Sequence, residues 1–161
     1  MKDKSYKTAI TRKVHSVPMR WLIEKGHVKK GQNGLDFGCG KGFDADELGF
    51  VGYDPHFRPE LPEGEFDVIT SIYMLNVIQD DHERARAEMA IIALADENKC
   101  RAYMAIRNDT QALNGCTGKG TWQGFVRPTY ADWEIIETNA RFTIHEYTAP
   151  GVPTECTGET S

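Results

Sequence analysis

Three glycines at alternate positions, Gly38, Gly40 and Gly42, stand between two carboxylates, Asp36 just before them and Asp54 after them. Glycine has no Cβ, so such a loop turns sharply, adopts positive φ and lets its backbone approach a ligand closely. A carboxylate at the end of the next strand can accept hydrogen bonds from both hydroxyls of a ribose. The chemistry of the set is therefore the holding of a nucleoside. Spacing decides which kind. A dinucleotide loop needs G-x-G-x-x-G, whose third glycine lets helix and strand pack closely at the pyrophosphate, and that position falls on Phe43. The plain alternative is a glycine-rich turn with no ligand, which the flanking acids disfavour.

These residues need strands to place them. Gly34-Leu35-Asp36-Phe37 reads as an apolar strand and Phe50-Val51-Gly52-Tyr53 as a second, with a helix of a turn or two over 44–48 between them. Upstream, Ile10, Val14, Val17, Trp21 and Leu22 recur at three- and four-residue steps. They predict helix over 8–25, broken or restarted at Pro18, with Ser16 as a cap and Gly26 as the stop. Pro59, Pro62 and Gly64 exclude a long helix over 56–65. A buried strand is expected over 66–72, running into Tyr73-Met74-Leu75-Asn76-Val77-Ile78. Asp80 or Asp81 is then placed to cap a helix over 82–94 whose packed stripe is Ala85, Met89, Ile92 and Ala93. A strand over 100–106 follows, then a glycine- and threonine-rich flexible loop over 108–124, a helix over 130–139, a strand over 141–147 and a loose tail from Pro150. Alternating strands and helices predict an α/β fold, a Rossmann-like, doubly wound, mostly parallel sheet in shortened form.

The chain has 161 residues, 40% of them apolar and 27% charged, which suits a single domain over 1–161 with one core. Apolar runs are interrupted well short of the roughly 20 residues that span a bilayer, and the N-terminus lacks the apolar core of a signal peptide. Cys39, Cys100, Cys116 and Cys156 form no CxxC pair, so neither a zinc site nor a disulfide framework is expected, and a cytoplasmic location follows. Charge is uneven: residues 1–30 hold nine Lys/Arg against Asp3 and Glu24, on a chain whose net charge is −5. A basic arm of this kind can meet nucleic-acid phosphates. Without interleaved aromatics it reads more readily as a solvated lysine-rich face.

The D-x-G-x-G-x-G pattern of Asp36 to Gly42 resembles the first motif of class I S-adenosylmethionine-dependent methyltransferases. Several pieces occur in the order seen in bacterial methyltransferase-like proteins associated with DNA phosphorothioation. They are Lys7-Thr8-Ala9-Ile10-Thr11-Arg12, Ser16-Val17-Pro18, the glycine loop, Gly52-Tyr53-Asp54-Pro55, Tyr73 to Ile78 and Gly120-Thr121-Trp122-Gln123. The resemblance covers roughly residues 7–148. It implies S-adenosylmethionine as cofactor, held by Asp36, Phe37, Gly38, Cys39, Gly40, Gly42, Asp54 and Tyr73, and no metal. Fuller members of the fold carry a further helix and strand where residues 56–65 stand here.

Methyl transfer asks mainly for alignment of donor and acceptor. An acceptor with a weakly acidic proton also needs a base, and Tyr73, Asp80, Asp81 and His82 are the nearby candidates, His82 equally an exposed helix-start residue. Asn76 is either a pocket residue or a turn cap. Trp122 either stacks on a planar ligand or anchors its loop to the core. Ser71-Ile72-Tyr73-Met74 replaces the D/N-P-P-Y motif of exocyclic amine methylation, and no Pro-Cys pair supplies a thiolate nucleophile. Three functions fit these residues: a methyltransferase of unspecified acceptor, a non-catalytic cofactor-binding module in a nucleic-acid modification or defence system, and a nucleotide-linked oxidoreductase.

Overall fold

The computed structural model describes residues 4–109, 115–117 and 121–153. Four apolar segments, Gly34–Phe37 (β1), Val51–Tyr53 (β2), Val68–Ile72 (β3) and Arg101–Arg107 (β4), lie parallel in the order β2-β1-β3-β4. Both faces of this sheet are covered. Leu35, Ile69, Ala102, Met104 and Ile106 pack on one side; Val68, Tyr103 and Ala105 pack on the other. Near-continuous apolar sequence is what two buried faces require.

Val17–Glu24 (α1) and Phe43–Leu48 (α2) cover one face through Met19, Leu22, Ala45 and Leu48. Asp81–Asn98 (α3) covers the other through Ile91 and Ala95. Phe142–Thr148 (β8) runs antiparallel to β4, and Glu134–Thr138 (β7) pairs antiparallel with β8 at the sheet edge. The complete order is β2-β1-β3-β4-β8-β7. No helix among the described residues is long and apolar enough to cross a membrane.

The expected α/β architecture is present, with four corrections. Helix over 8–25 is confined to α1, after a single 3-10 turn at Ser5–Thr8. Pro18 in the first turn sets that start, because its ring excludes a helical carbonyl four residues upstream. Ser16 occupies the cap position but spends its hydroxyl elsewhere, whereas Gly26, at φ +80°, ends the helix as expected.

The helix starting after Asp80 extends to Asn98, and its buried stripe is Glu88, Ile91 and Ala95. Met89, expected in that stripe, is 55% exposed. Segment 130–139 holds the strand β7 at Glu134–Thr138 and no helix. Its β-branched Ile135, Ile136 and Thr138 suit a strand, and β8 offers it a partner. Glu88 fixes the approach to β7, its Oε1 accepting from Tyr130 N at 2.8 Å and from Trp133 Nε1 at 3.0 Å.

Within the loop expected over 108–124, Gly115–Cys116 (β5) and Trp122–Gln123 (β6) pair as a two-stranded ribbon. Residues 110–114 and 118–120 of that loop, and the tail from 154, lie outside the described residues.

Candidate functional site

β1 ends where its backbone must leave the sheet, and the glycines make that exit. Gly38 has φ +83°, and a Cβ there would lie 2.7 Å from Met74 Sδ. Gly42 has φ +88°, and a Cβ there would overlap the Arg58 guanidinium. Any other residue at either position is strained twice, by backbone and by contact. The loop is held by its own amides: Gly38 N and Cys39 N both donate to Tyr53 O, at 2.8 and 2.9 Å.

Asp54 joins the loop to the turn after β2. Its Oδ2 accepts from Gly40 N at 3.0 Å, and its Oδ1 accepts from His56 N at 2.9 Å and Phe57 N at 3.0 Å. A carboxylate offers about four lone-pair sites, so these three bonds leave Oδ2 with acceptor capacity. Asp36, buried in β1, accepts from Thr70 Oγ1 at 2.9 Å. Burial, and then the nearby Asp44 carboxylate, push its carboxyl up to about 7.

Residues without a sequence signal complete this end. Arg58 grips Asp46 through two bonds of 2.8 Å and donates to Lys41 O at 3.2 Å. It thus ties the turn after β2 to α2. Asp44 accepts from His15 Nδ1 at 2.8 Å, from Ser16 Oγ at 2.7 Å and from Ser16 N at 3.2 Å. That latch draws the N-terminal arm across the loop, where Tyr6 stacks on His56 at 3.8 Å and Lys41 Nζ donates to Thr11 Oγ1 at 3.1 Å.

Together these elements enclose a cleft of about 1190 Å³ at the carboxyl ends of the parallel strands. Asp36, Phe37, Gly38, Cys39, Gly40, Gly42, Asp54 and Tyr73 all line it. Asn76 does too; it is fully buried, with Nδ2 donating to Gln123 Oε1 at 3.1 Å and its carbonyl accepting from Gly124 N at 2.8 Å. Its Oδ1 has no partner among the described residues.

Tyr73 is a non-glycine residue at φ +57°, and its amide donates to Ala105 O at 2.9 Å. The turn it makes aims the chain from β3 along the cleft. Burial raises its hydroxyl above the ordinary tyrosine range, which leaves it protonated at neutral pH. Cys39 is likewise pushed up, to about 12, by burial and by Asp36, so its thiol stays neutral and is no nucleophile.

Two residues open to either of two readings stand outside the cleft. His82 is exposed and does not line the cleft, because the helix cap points it to solvent. Asp80 is that cap, its Oδ1 accepting from Glu83 N at 2.9 Å, and Asp81 pairs with Arg84. Nor does Trp122 line the cleft. It folds over Gly124, whose Cβ it would overlap, and the Arg84 guanidinium lies 5.2 Å from its ring centre. Its neighbour Gln123 reaches the cleft in its place.

No family model matches the sequence, and no curated protein matches it either. Solved structures do resemble it. The N-methyltransferase NodS from Bradyrhizobium japonicum, crystallised with S-adenosylhomocysteine, superposes with a TM-score of 0.53 at 12% identity, over 83% of this chain and 84% of that one. The CcbJ methyltransferase from Streptomyces caelestis gives 0.52 at 12% identity, over 91% and 95%. The 1,6-didemethyltoxoflavin-N1-methyltransferase from Burkholderia thailandensis, crystallised with its namesake compound and S-adenosylhomocysteine, gives 0.50 at 13%, over 91% and 79%. The fold is that of these methyltransferases, a mixed α/β fold around a mostly parallel central sheet, here in a small version of 161 residues.

Proposed function

We propose that this chain binds S-adenosylmethionine in the cleft and directs its methyl group to an acceptor. The observation that carries this reading is the meeting of the Asp36 to Gly42 loop and the Asp54 carboxylate on one cleft, in a fold shared with methyltransferases crystallised with S-adenosylhomocysteine. The residues suit the cofactor. Asp54 keeps acceptor capacity for ribose hydroxyls while its other bonds hold it still. Gly38 and Gly40, both at positive φ, present backbone without a Cβ in the way. When bound, the cofactor supplies a methyl group already activated by a sulfonium.

What remains for the protein is alignment and the exclusion of water. The cleft is larger than the about 300–1,000 Å³ usual for one small ligand, which leaves room for an acceptor beside the cofactor. Tyr73, protonated at neutral pH, serves as a hydrogen-bond donor and positioning group rather than a base. The acceptor therefore arrives as a group nucleophilic without deprotonation by Tyr73. The finer assignment, to proteins associated with DNA phosphorothioation, rests on the ordered sequence pieces from Lys7 to Gln123.

A dinucleotide is a poor fit for the same cleft. The start of α2, where a pyrophosphate would sit, already holds the Asp44 carboxylate, with Asp36 and Asp54 nearby. Asp44 and Asp54 repel a diphosphate and favour a cationic sulfonium, and Asp36, its carboxyl raised to about 7, adds a partial negative charge. Calorimetric titration of the full chain with S-adenosylmethionine, S-adenosylhomocysteine and NAD tests the reading. Saturable binding of the first two and none of NAD is expected; NAD binding without either sulfur ligand overturns it.

A further inference from the structure

The cleft is polarised. Its glycine-loop end carries Asp36, Asp44 and Asp54, with Lys41 bonded to Thr11 and the nearby Arg58 paired with Asp46. The opposite end is basic. Arg107 is the last residue of β4, and the antiparallel register sets it across from Phe142. Asn108 then locks the next turn, donating from its backbone to Arg141 O at 2.8 Å and from Nδ2 to Asn139 O at 2.6 Å. Its Oδ1 accepts from Thr143 Oγ1 at 3.0 Å. These bonds bring Arg107 and Arg141 to one corner.

Arg12 enters the same corner from the arm that the Asp44 latch holds in place. All three arginines line the cleft, and all three act electrostatically on the Tyr73 hydroxyl. Arg107 is gripped by Asp109 through bonds of 2.9 and 2.8 Å, with its guanidinium 6.0 Å from the Tyr73 ring centre. Arg12 and Arg141 make no ion pair among the described residues. Asp109 lines the cleft as well and feels the Arg141 charge besides that of Arg107, so one carboxylate stands against three guanidinium groups. The excess positive charge attracts an anion, and a planar guanidinium fork matches a carboxylate or phosphate.

We infer that Arg12, Arg107 and Arg141 form an anion site, and that the acceptor is a small molecule anchored there by a carboxylate or phosphate group. Calling the bound molecule an acceptor rests on the methyltransferase reading; the anion site itself does not. The same chemistry has a second source, the carboxylate at the methionine end of the cofactor.

The test titrates malonate and inorganic phosphate into the full chain, with and without saturating S-adenosylhomocysteine. Saturable binding of at least one anion is expected in both conditions. Arg12→Gln and Arg141→Gln should each weaken it about tenfold or more, the loss of a charged hydrogen-bonding partner, and Arg141→Lys should fall between. Arg20→Gln, on the exposed side of α1, should change nothing. Cofactor-product affinity should stay within about twofold in every variant, since none removes a contact at the glycine loop. No anion binding, or binding as tight as wild type in both glutamine variants, overturns the proposal. So does competition between either anion and S-adenosylhomocysteine, which would give the site to the methionine carboxylate. If the wild-type chain binds anions but not S-adenosylhomocysteine, the site stands and the methyltransferase reading fails.

Discussion

The two ends of the cleft are built by different means. At the glycine loop the backbone itself makes the site: amides of Gly38, Cys39 and Gly40 are bonded to Tyr53 and Asp54, and positive φ at the glycines sets the turn. At the β4 and β8 corner, side chains make it, and residues far apart in sequence meet only because two strands pair antiparallel. A backbone-built site depends on residue type at fixed spacing, so substitution there is severe and local. A side-chain-built site depends on long-range packing, so loss of one member weakens it in part and loss of its support removes it.

The largest effect should fall on the backbone-built end. Gly38→Val places a branched side chain at φ +83° and against Met74, and calorimetry should detect no S-adenosylhomocysteine binding while the far-ultraviolet spectrum stays native. Normal affinity in this variant would reduce the loop to a turn. Next is the support of the other end. Glu88→Ala removes the acceptor for Tyr130 N and Trp133 Nε1, leaving two part-buried donors unpaired, at a cost of about 3 kcal/mol in urea denaturation. An unchanged midpoint would mean that β7 is held by its pairing with β8 alone.

The same contrast explains what the sequence revealed. Gly34 to Phe37, the glycine loop and Asp54 were legible because a turn without Cβ and a carboxylate at a strand end are written in neighbouring residues. Glu88 was not, because a carboxylate in a helix reads as solvent-facing, and its burial depends on Trp133 arriving from a distant segment. That error displaced the whole stripe of α3 onto Met89. Likewise Trp133, Ile135 and Ile136 carry helical spacing over too short a span to outweigh β-branching and an available strand partner. Arg12, Arg107 and Arg141 carry no shared motif; topology alone gathers them.

A smaller effect concerns pH. The Asp36 carboxyl, raised to about 7 from the usual 3.8, binds more proton in the folded chain than in the unfolded chain between those values. Stability referred to Asp36→Asn should therefore fall as pH rises through that window. His145, lowered to about 4 by burial, acts with the opposite sign and cancels in the comparison. Parallel denaturation curves for wild type and Asp36→Asn across that range would contradict the assignment. Smallest is His82→Ala. An exposed residue outside the cleft should shift neither stability nor cofactor-product affinity by more than about 0.5 kcal/mol, read by the same titration and melt.

The central claim is that Asp54 holds a ribose while its remaining bonds pin the loop. Replacement by alanine would confuse these roles, because it strips acceptors from Gly40, His56 and Phe57 together. Asp54→Asn keeps a carbonyl for His56 N and Phe57 N, removes the charge, and exchanges for an amide only the oxygen that faces Gly40 N and the ribose. Calorimetric titration of wild type and Asp54→Asn with S-adenosylhomocysteine, beside a thermal melt of each, is the most direct measurement. The account predicts binding to wild type, a loss of about 1–3 kcal/mol in the variant and closely similar melts. Equal affinity in the two proteins would contradict it.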